Sequence, residues 1–119
     1  MTDSYLSMAQ AVGFLDGEGH VAISKAGDVR VEAEQTEPAP LFMLQKVFGG
    51  TVNLRGTRDS WRWRLCKKEN VRYCLIALEE SSWGRKKIEA GVALLLLDDA
   101  IKADVARDQI HRIRERRIQ

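Results

Sequence analysis

One stretch near the start of the chain, Ala11-Val12-Gly13-Phe14-Leu15-Asp16-Gly17-Glu18-Gly19, restricts the fold more than any other. Upstream of it Tyr5, Met8, Val12 and Leu15 recur at helical spacing, with Leu6, Ala9 and Gly13 beside them. The run from Ser4 to Leu15 therefore predicts a helix with a wide apolar face, capped by Ser4. Gly17 and Gly19 predict the end of that helix and a turn into an alternating strand at His20. Asp16 and Glu18 then sit at the negative end of the helix dipole, where a carboxylate calls for a cation or a buried hydrogen bond. Gly13 and Gly17, one turn apart, remove side chains where a second backbone would approach closely. The plain alternative is an ordinary helix end followed by a hairpin.

Alternation continues after Gly19. His20 to Ser24 and Val29 to Glu34 predict a hairpin that turns through Lys25-Ala26-Gly27-Asp28. Val21, Ile23, Val29, Val31 and Ala33 would face the core, leaving His20, Ser24, Arg30, Glu32 and Glu34 on the other side. Pro38 and Pro40 break the chain before a short helix, Leu41 to Phe48, ended by Gly49-Gly50. A second hairpin follows, Thr51 to Arg55 and Ser60 to Leu65, in which Trp61, Trp63 and Leu65 point inward. Arg62 and Arg64 join Asn53 and Arg55 on the exposed face, and with Arg58, Lys67, Lys68 and Arg72 they make the basic centre of the chain. Such a face is either a surface for phosphates and guanine edges or the solvated side of an antiparallel sheet.

Glu69 to Leu78 predicts a helix, Ser81-Ser82-Trp83-Gly84 interrupts it, and Arg85-Lys86-Lys87 opens a further helix running toward Ile101. A basic run at a helix N-terminus opposes the dipole and favours an anionic partner, although most charge runs are simply solvated. Beyond Lys102 the pattern continues as a basic helical tail with Arg107, His111, Arg112, Arg114, Arg116 and Arg117. Ala90-Gly91-Val92-Ala93-Leu94 echoes the opening stretch, but Asp98-Asp99-Ala100 lacks the glycines that would end a helix there, so no second copy is read.

The stretch AVGFLDGEG resembles the signature of the LAGLIDADG homing endonucleases, and the downstream landmarks fall in that family's order. The resemblance implies an α+β fold, αββαββαα, with an antiparallel DNA-binding saddle sheet and the motif helix at a dimer interface made by Leu6, Ala9, Gly13, Asp16 and Gly17. It implies one domain over residues 1–101, with 102–119 as a basic extension. It also implies that Glu18, helped by the Gly17 carbonyl, binds Mg²⁺ or another divalent ion such as Mn²⁺. Gln35 would position the water network, and Lys86, with Lys87 as the alternative, would support the nucleophile or the leaving phosphate. Ser24, Arg30, Glu32, Asn53, Arg55, Arg62, Arg64, Lys67 and Lys87 would contact DNA. Glu32 and Glu34 are the departure from a basic reading sheet, since phosphates repel them, although a glutamate can accept a hydrogen bond from cytosine. Family members with one motif work as homodimers on palindromic or near-palindromic double-stranded DNA and serve intron or intein homing.

Other bounds agree. At 119 residues the chain is one domain and small for an enzyme that must cover a duplex alone, which favours a dimer. The net charge of +2 is too mild to argue for nucleic acid by itself. Cys66 and Cys74 fit neither a zinc site nor a disulfide framework and read as buried or semi-buried free thiols. His20 and His111 lack metal-ligand spacing, no serine stands in a nucleophile elbow, and no small-molecule cofactor is expected. The polar N-terminus and the short apolar run Val92 to Leu97 predict no membrane partner and a soluble, cytoplasmic protein, with nucleoid or organelle matrix left open. The competing reading from another class is a sequence-specific DNA-binding regulator that kept the saddle and lost cleavage. A dimeric module with a protein partner is third, because it leaves the glycine-framed acids and the arginine face unexplained.

Overall fold

The first helix, α1 (Thr2–Glu18), is longer than its pattern predicts. The computed structural model describes residues 2–56 and 59–116, with side chains from Ser7 onward. Ser4 lies inside the first turns of α1 and so does not cap it, and Asp16 and Gly17 are helical. Helical bonding runs through Gly17 because glycine tolerates the right-handed conformation at a modest entropic cost. The stop falls at Gly19, for a steric reason. The chain doubles back so tightly there that a Cβ would lie 2.7 Å from the Leu15 carbonyl oxygen and 2.8 Å from the Leu15 side chain.

Two hairpins follow, β1 (Gly19–Ile23) with β2 (Val29–Gln35) and β3 (Thr51–Leu54) with β4 (Trp61–Leu65). They join through β2 and β4 into one antiparallel sheet of order β1-β2-β4-β3. The inward set is the one the alternation predicts, with Val21, Val29, Val31, Ala33, Trp63 and Leu65 all buried. Against that face pack α1, through Ala11, Val12 and Leu15, and α2 (Ala39–Phe48), through Leu41, Leu44 and Phe48. Val71, Cys74, Leu75 and Leu78 of α3 (Lys68–Ser81) complete the core. Gly49 and Gly50 end α2 with φ of 90° and 92°. They also admit Trp63, whose indole N–H donates to the Gly49 carbonyl at 2.8 Å, while a Cβ on Gly50 would lie 2.9 Å from the indole nitrogen.

The run expected to continue toward Ile101 is broken in two. The helix α4 (Arg85–Leu97) ends where Asp99 takes a left-handed φ of 58°. The Asp99 and Ala100 amides then donate to the Leu96 and Leu95 carbonyls, the paired bonds of a Schellman ending. Aspartate is one of the few residues other than glycine that adopts this conformation, so the missing glycines did not prevent the stop. After it, α5 (Ala103–Arg116) packs on α4 and β1 with Ala106 and Ile110 buried. Cys74 is buried and its thiol is pushed up to about 12 by desolvation. Cys66 falls just after β4 and is exposed, contrary to the expectation of burial. No described helix is long and apolar enough to cross a membrane.

Candidate functional site

The end of α1 carries the two acids without any basic residue in its last turn to balance the dipole. Glu18 is exposed and forms no ion pair with a described residue. Asp16 is half-buried. Ala9, Gly13 and Gly17 follow one another at one-turn intervals along an exposed stripe of the same helix. A Cβ on either glycine would meet nothing within 4 Å, so neither is demanded by the chain's own packing. The Leu6 side chain lies outside the described residues.

The Lys86 and Lys87 alternatives separate cleanly. Lys87 is exposed and donates to the Glu79 carbonyl at 2.5 Å, tying the start of α4 to the last turn of α3. Lys86 is 4% exposed, and burial holds its ammonium below the ordinary lysine range. Glu89 and Asp16 oppose that shift, while Arg85 and Arg114 add to it. The sequence reading missed the centre of this group. Glu89 is fully buried, with one oxygen 3.1 Å from Arg114 Nη2 and the other 3.3 Å from Arg85 Nε. Arg114 also donates to the Val21 carbonyl at 2.7 Å, pinning α5 to β1. A glutamate inside the apolar run Ile88 to Leu97, one turn after Arg85, was the available signal. The His20 imidazole, at the start of β1, lies below its ordinary range through partial desolvation and then through Arg114.

Lys86 offers a test of this electrostatic setting. With its folded pKa below the unfolded value, the unfolded chain holds the extra proton in the window between the two. Stability therefore carries a constant penalty below that window and rises as pH climbs toward the ordinary lysine value. Lys86→Met is expected to be at least as stable as the wild type at pH 7 and to lack this alkaline rise. Urea titrations of both proteins at a series of pH values measure the difference.

Strand register places the remaining candidates. Gly19 pairs with Ala33, so Gln35, half-buried and opposite Trp61, lies at the end of the sheet where α1 enters. Ser24 is engaged in its own turn, its hydroxyl accepting from the Asp28 amide at 3.0 Å. Lys67 is exposed immediately before α3. On the open face of the sheet His20, Glu32, Arg64 and Thr51 form one cross-strand row, and Glu34, Arg62 and Asn53 form the next. Opposite charges therefore stand side by side. Arg55 and Arg62 approach the same Glu34 oxygen at 2.6 and 3.2 Å. Glu32 meets Arg64 at 2.7 Å through one oxygen and Arg30 at 3.2 Å through the other. Burial raises the Glu32 carboxyl, but the Arg64 hydrogen bond and the adjacent Arg30 guanidinium outweigh it and hold it below the usual range. The Arg55 hydrogen bond does the same for Glu34, with Arg62 adding to it against slight desolvation. Beside these pairs is a concavity of about 470 Å³ lined by Thr51, Asn53, Arg55, Arg62 and Arg64. Arg58 and Arg117 lie outside the described residues.

The fold recurs in solved structures. The homing endonuclease I-CvuI, in complex with its target in the presence of calcium, matches 95% of this chain and 98% of its own, with a TM-score of 0.63 and 17% identity. I-TnaI, a homing endonuclease, matches over 89% of this chain and 84% of its own at a TM-score of 0.66 and 19% identity. The I-SmaMI LAGLIDADG homing endonuclease, bound to cleaved DNA, matches over 76% of this chain at a TM-score of 0.64 and 18% identity. The fold is that of the LAGLIDADG homing endonucleases. The chain spans only 35% of I-SmaMI but nearly all of I-CvuI. No family sequence model and no curated protein sequence matches it.

Ala11 to Glu18 make up the C-terminal half of α1, and the oxygens there are set against what a metal requires. Among the described residues no group of three or more His, Cys, Asp or Glu side chains stands ready to hold an ion. One chain offers the exposed Glu18 carboxylate and carbonyl oxygens at a helix end. These are hard donors of the kind magnesium and manganese take, and they fit such an ion only as half of a ligand set.

Proposed function

We propose that this protein is a homing-type, metal-dependent endonuclease that cuts double-stranded DNA as a homodimer at a palindromic or near-palindromic site. The observation that carries the reading is the unneutralised Glu18 at the end of a helix whose exposed side is the stripe Ala9, Gly13, Gly17. Two such helices packed along Leu6, Ala9, Gly13, Asp16 and Gly17 would bring two Glu18 carboxylates and two Gly17 carbonyls to one place, and these oxygens would hold Mg²⁺ or Mn²⁺. Such an ion supplies Lewis acidity at the scissile phosphate and an acidified water. Gln35 would orient the attacking water from the neighbouring strand end, and Lys86 would offset charge on the phosphate. Ser24, Arg30, Asn53, Arg55, Arg62, Arg64, Lys67 and Lys87 face the duplex backbone and base edges. Residues 1–101 form the nuclease unit. The 102–119 segment adds a basic helix whose exposed Arg107, His111, Arg112 and Arg116 reach flanking phosphates.

The purified protein, incubated with a randomised duplex library and magnesium, should yield a discrete set of double-strand cuts, abolished by chelation. Glu18→Gln should bind the same duplexes and leave them whole. One observation favours the regulator reading instead: Lys86 is 4% exposed, which leaves its ammonium little access to a phosphate. Wild-type protein that selects a site but leaves it uncut with either metal would establish the regulator.

A further inference from the structure

The acids that looked out of place on the open face of the sheet are paired with its arginines. Glu32 meets Arg64 through one oxygen and Arg30 through the other, so both of its oxygens already stand against guanidiniums. Glu34 gathers Arg55, from beyond the end of β3, and Arg62, from β4, onto a single oxygen. Each carboxylate therefore stands against two guanidiniums, Glu34 bonded to both and Glu32 bonded to Arg64 with Arg30 beside it. The face is left with four positive charges against two negative ones.

We infer that Glu32 and Glu34 are specificity-determining positioning residues, which hold Arg55, Arg62 and Arg64 as rigid base readers and limit their attraction to DNA of any sequence. The inference rests on the DNA-reading function proposed above. A free arginine side chain has several rotatable bonds, and on a bare surface it would settle on the nearest phosphate. Fixed at one edge by a carboxylate, it keeps its other N–H groups in a set direction. Arg64 bonds to Glu32 through Nε, which leaves both terminal amino groups for the O6 and N7 acceptors of a guanine. Arg55 and Arg62 bond through one terminal nitrogen each, keep their remaining donors, and both line the concavity. Cancelling half of the face's charge lowers the sequence-independent, salt-sensitive share of binding and leaves geometry to discriminate. The Arg30 Nε, buried and without a hydrogen-bond partner, marks the one guanidinium not held by an aligned bond, and Arg30 is accordingly left out of the reading set.

The test uses the full chain, a duplex recovered by the wild type from a randomised pool, and a random duplex of equal length, in calcium to separate binding from cutting. Glu34→Gln should bind the random duplex roughly tenfold more tightly and steepen its dependence of log K on log salt by about one unit, as expected for one further phosphate contact. The preference for the selected duplex over the random one should fall by roughly tenfold, the scale of one lost guanine contact. In the free variant the Arg55 and Arg62 side-chain N–H resonances should lose order while the backbone spectrum is preserved. Unchanged salt slope and preference, with arginine order retained, overturn the inference while leaving DNA reading intact. Wild-type protein that binds neither duplex overturns both.

Discussion

Glu89→Ala is expected to cost about 3–5 kcal/mol of folding stability, the range for breaking a buried ion pair by removing one partner. The carboxylate is fully buried and is the one negative group that both Arg85 and Arg114 contact among the described residues. Its loss leaves the two guanidiniums near the buried ammonium of Lys86, with Asp16 the remaining acid acting on that ammonium. The side chains of Arg85 and Arg114 are 26% and 33% exposed, so each can turn partly to water, which places the expected value toward the lower end of that range. The consequence should be local before it is global. Arg114 bridges Glu89 and the Val21 carbonyl, so freeing it unpins α5 from β1. Amide exchange should accelerate first in the half of α5 around Ile110, and urea titration should report the whole loss. Glu89→Gln, which keeps an acceptor but not the charge, should fall between the two. A cost below about 1 kcal/mol, typical of exposed ion pairs, would mean that the cluster is held by its surroundings and not by Glu89.

How much of this was legible beforehand follows the range of the forces involved. The hairpins could be read because alternation is local: Val21, Val31 and Ala33 take the core and His20 and Glu32 the open side, whatever the rest of the chain does. Helix ends were less legible. Gly17 and Gly19 together were expected to end the helix, whereas the helix runs through Gly17 and the requirement at Gly19 is the closeness of Leu15, a contact that no propensity records. The break at Asp99 was hidden for the converse reason, since a residue with a Cβ took a position usually marked by glycine. At the site, Glu18, Gly13 and Gly17 stood out because their chemistry conflicts with their local setting. Glu32 and Glu34 conflicted too, but the resolution lies in arginines 21 to 32 residues further along the chain, brought alongside only by the β2–β4 register. Glu89 gave almost no signal, because its decisive partner, Arg114, comes from a helix that the patterning left as a basic extension outside the core.

Gly13→Leu separates the needs of the folded chain from those of an assembly. A glycine inside a helix costs about 0.5–1 kcal/mol relative to alanine, and nothing within the chain offsets that cost, because a Cβ at Gly13 would enter open space. Leucine is nearly as good a helix former, so the variant should be as stable as the wild type, or more so by up to about 1 kcal/mol, when both are compared as dilute single chains. Association should fail. Two helices meeting along Ala9, Gly13 and Gly17 approach closely only while that stripe stays bare, and a leucine on each side would force the axes apart. Sedimentation should then show a monomer at concentrations where the wild type is a dimer. Trp83, 93% exposed beside a cavity of about 370 Å³ that Ala9, Gly13 and Asp16 help to line, should shift its fluorescence with concentration in the wild type but not in the variant. Double-strand cutting should drop by more than a hundredfold, since each Glu18 would lack its counterpart. Glu18→Gln gives the contrasting failure, an intact dimer that does not cut. Mixing it with wild-type chains should yield dimers with one remaining carboxylate and correspondingly impaired cleavage, whereas mixing in Gly13→Leu should leave wild-type cleavage in place. If Gly13→Leu dimerises and cuts as the wild type does, the exposed glycine stripe of α1 is not the seam, and the two Glu18 carboxylates have no route to a shared ion.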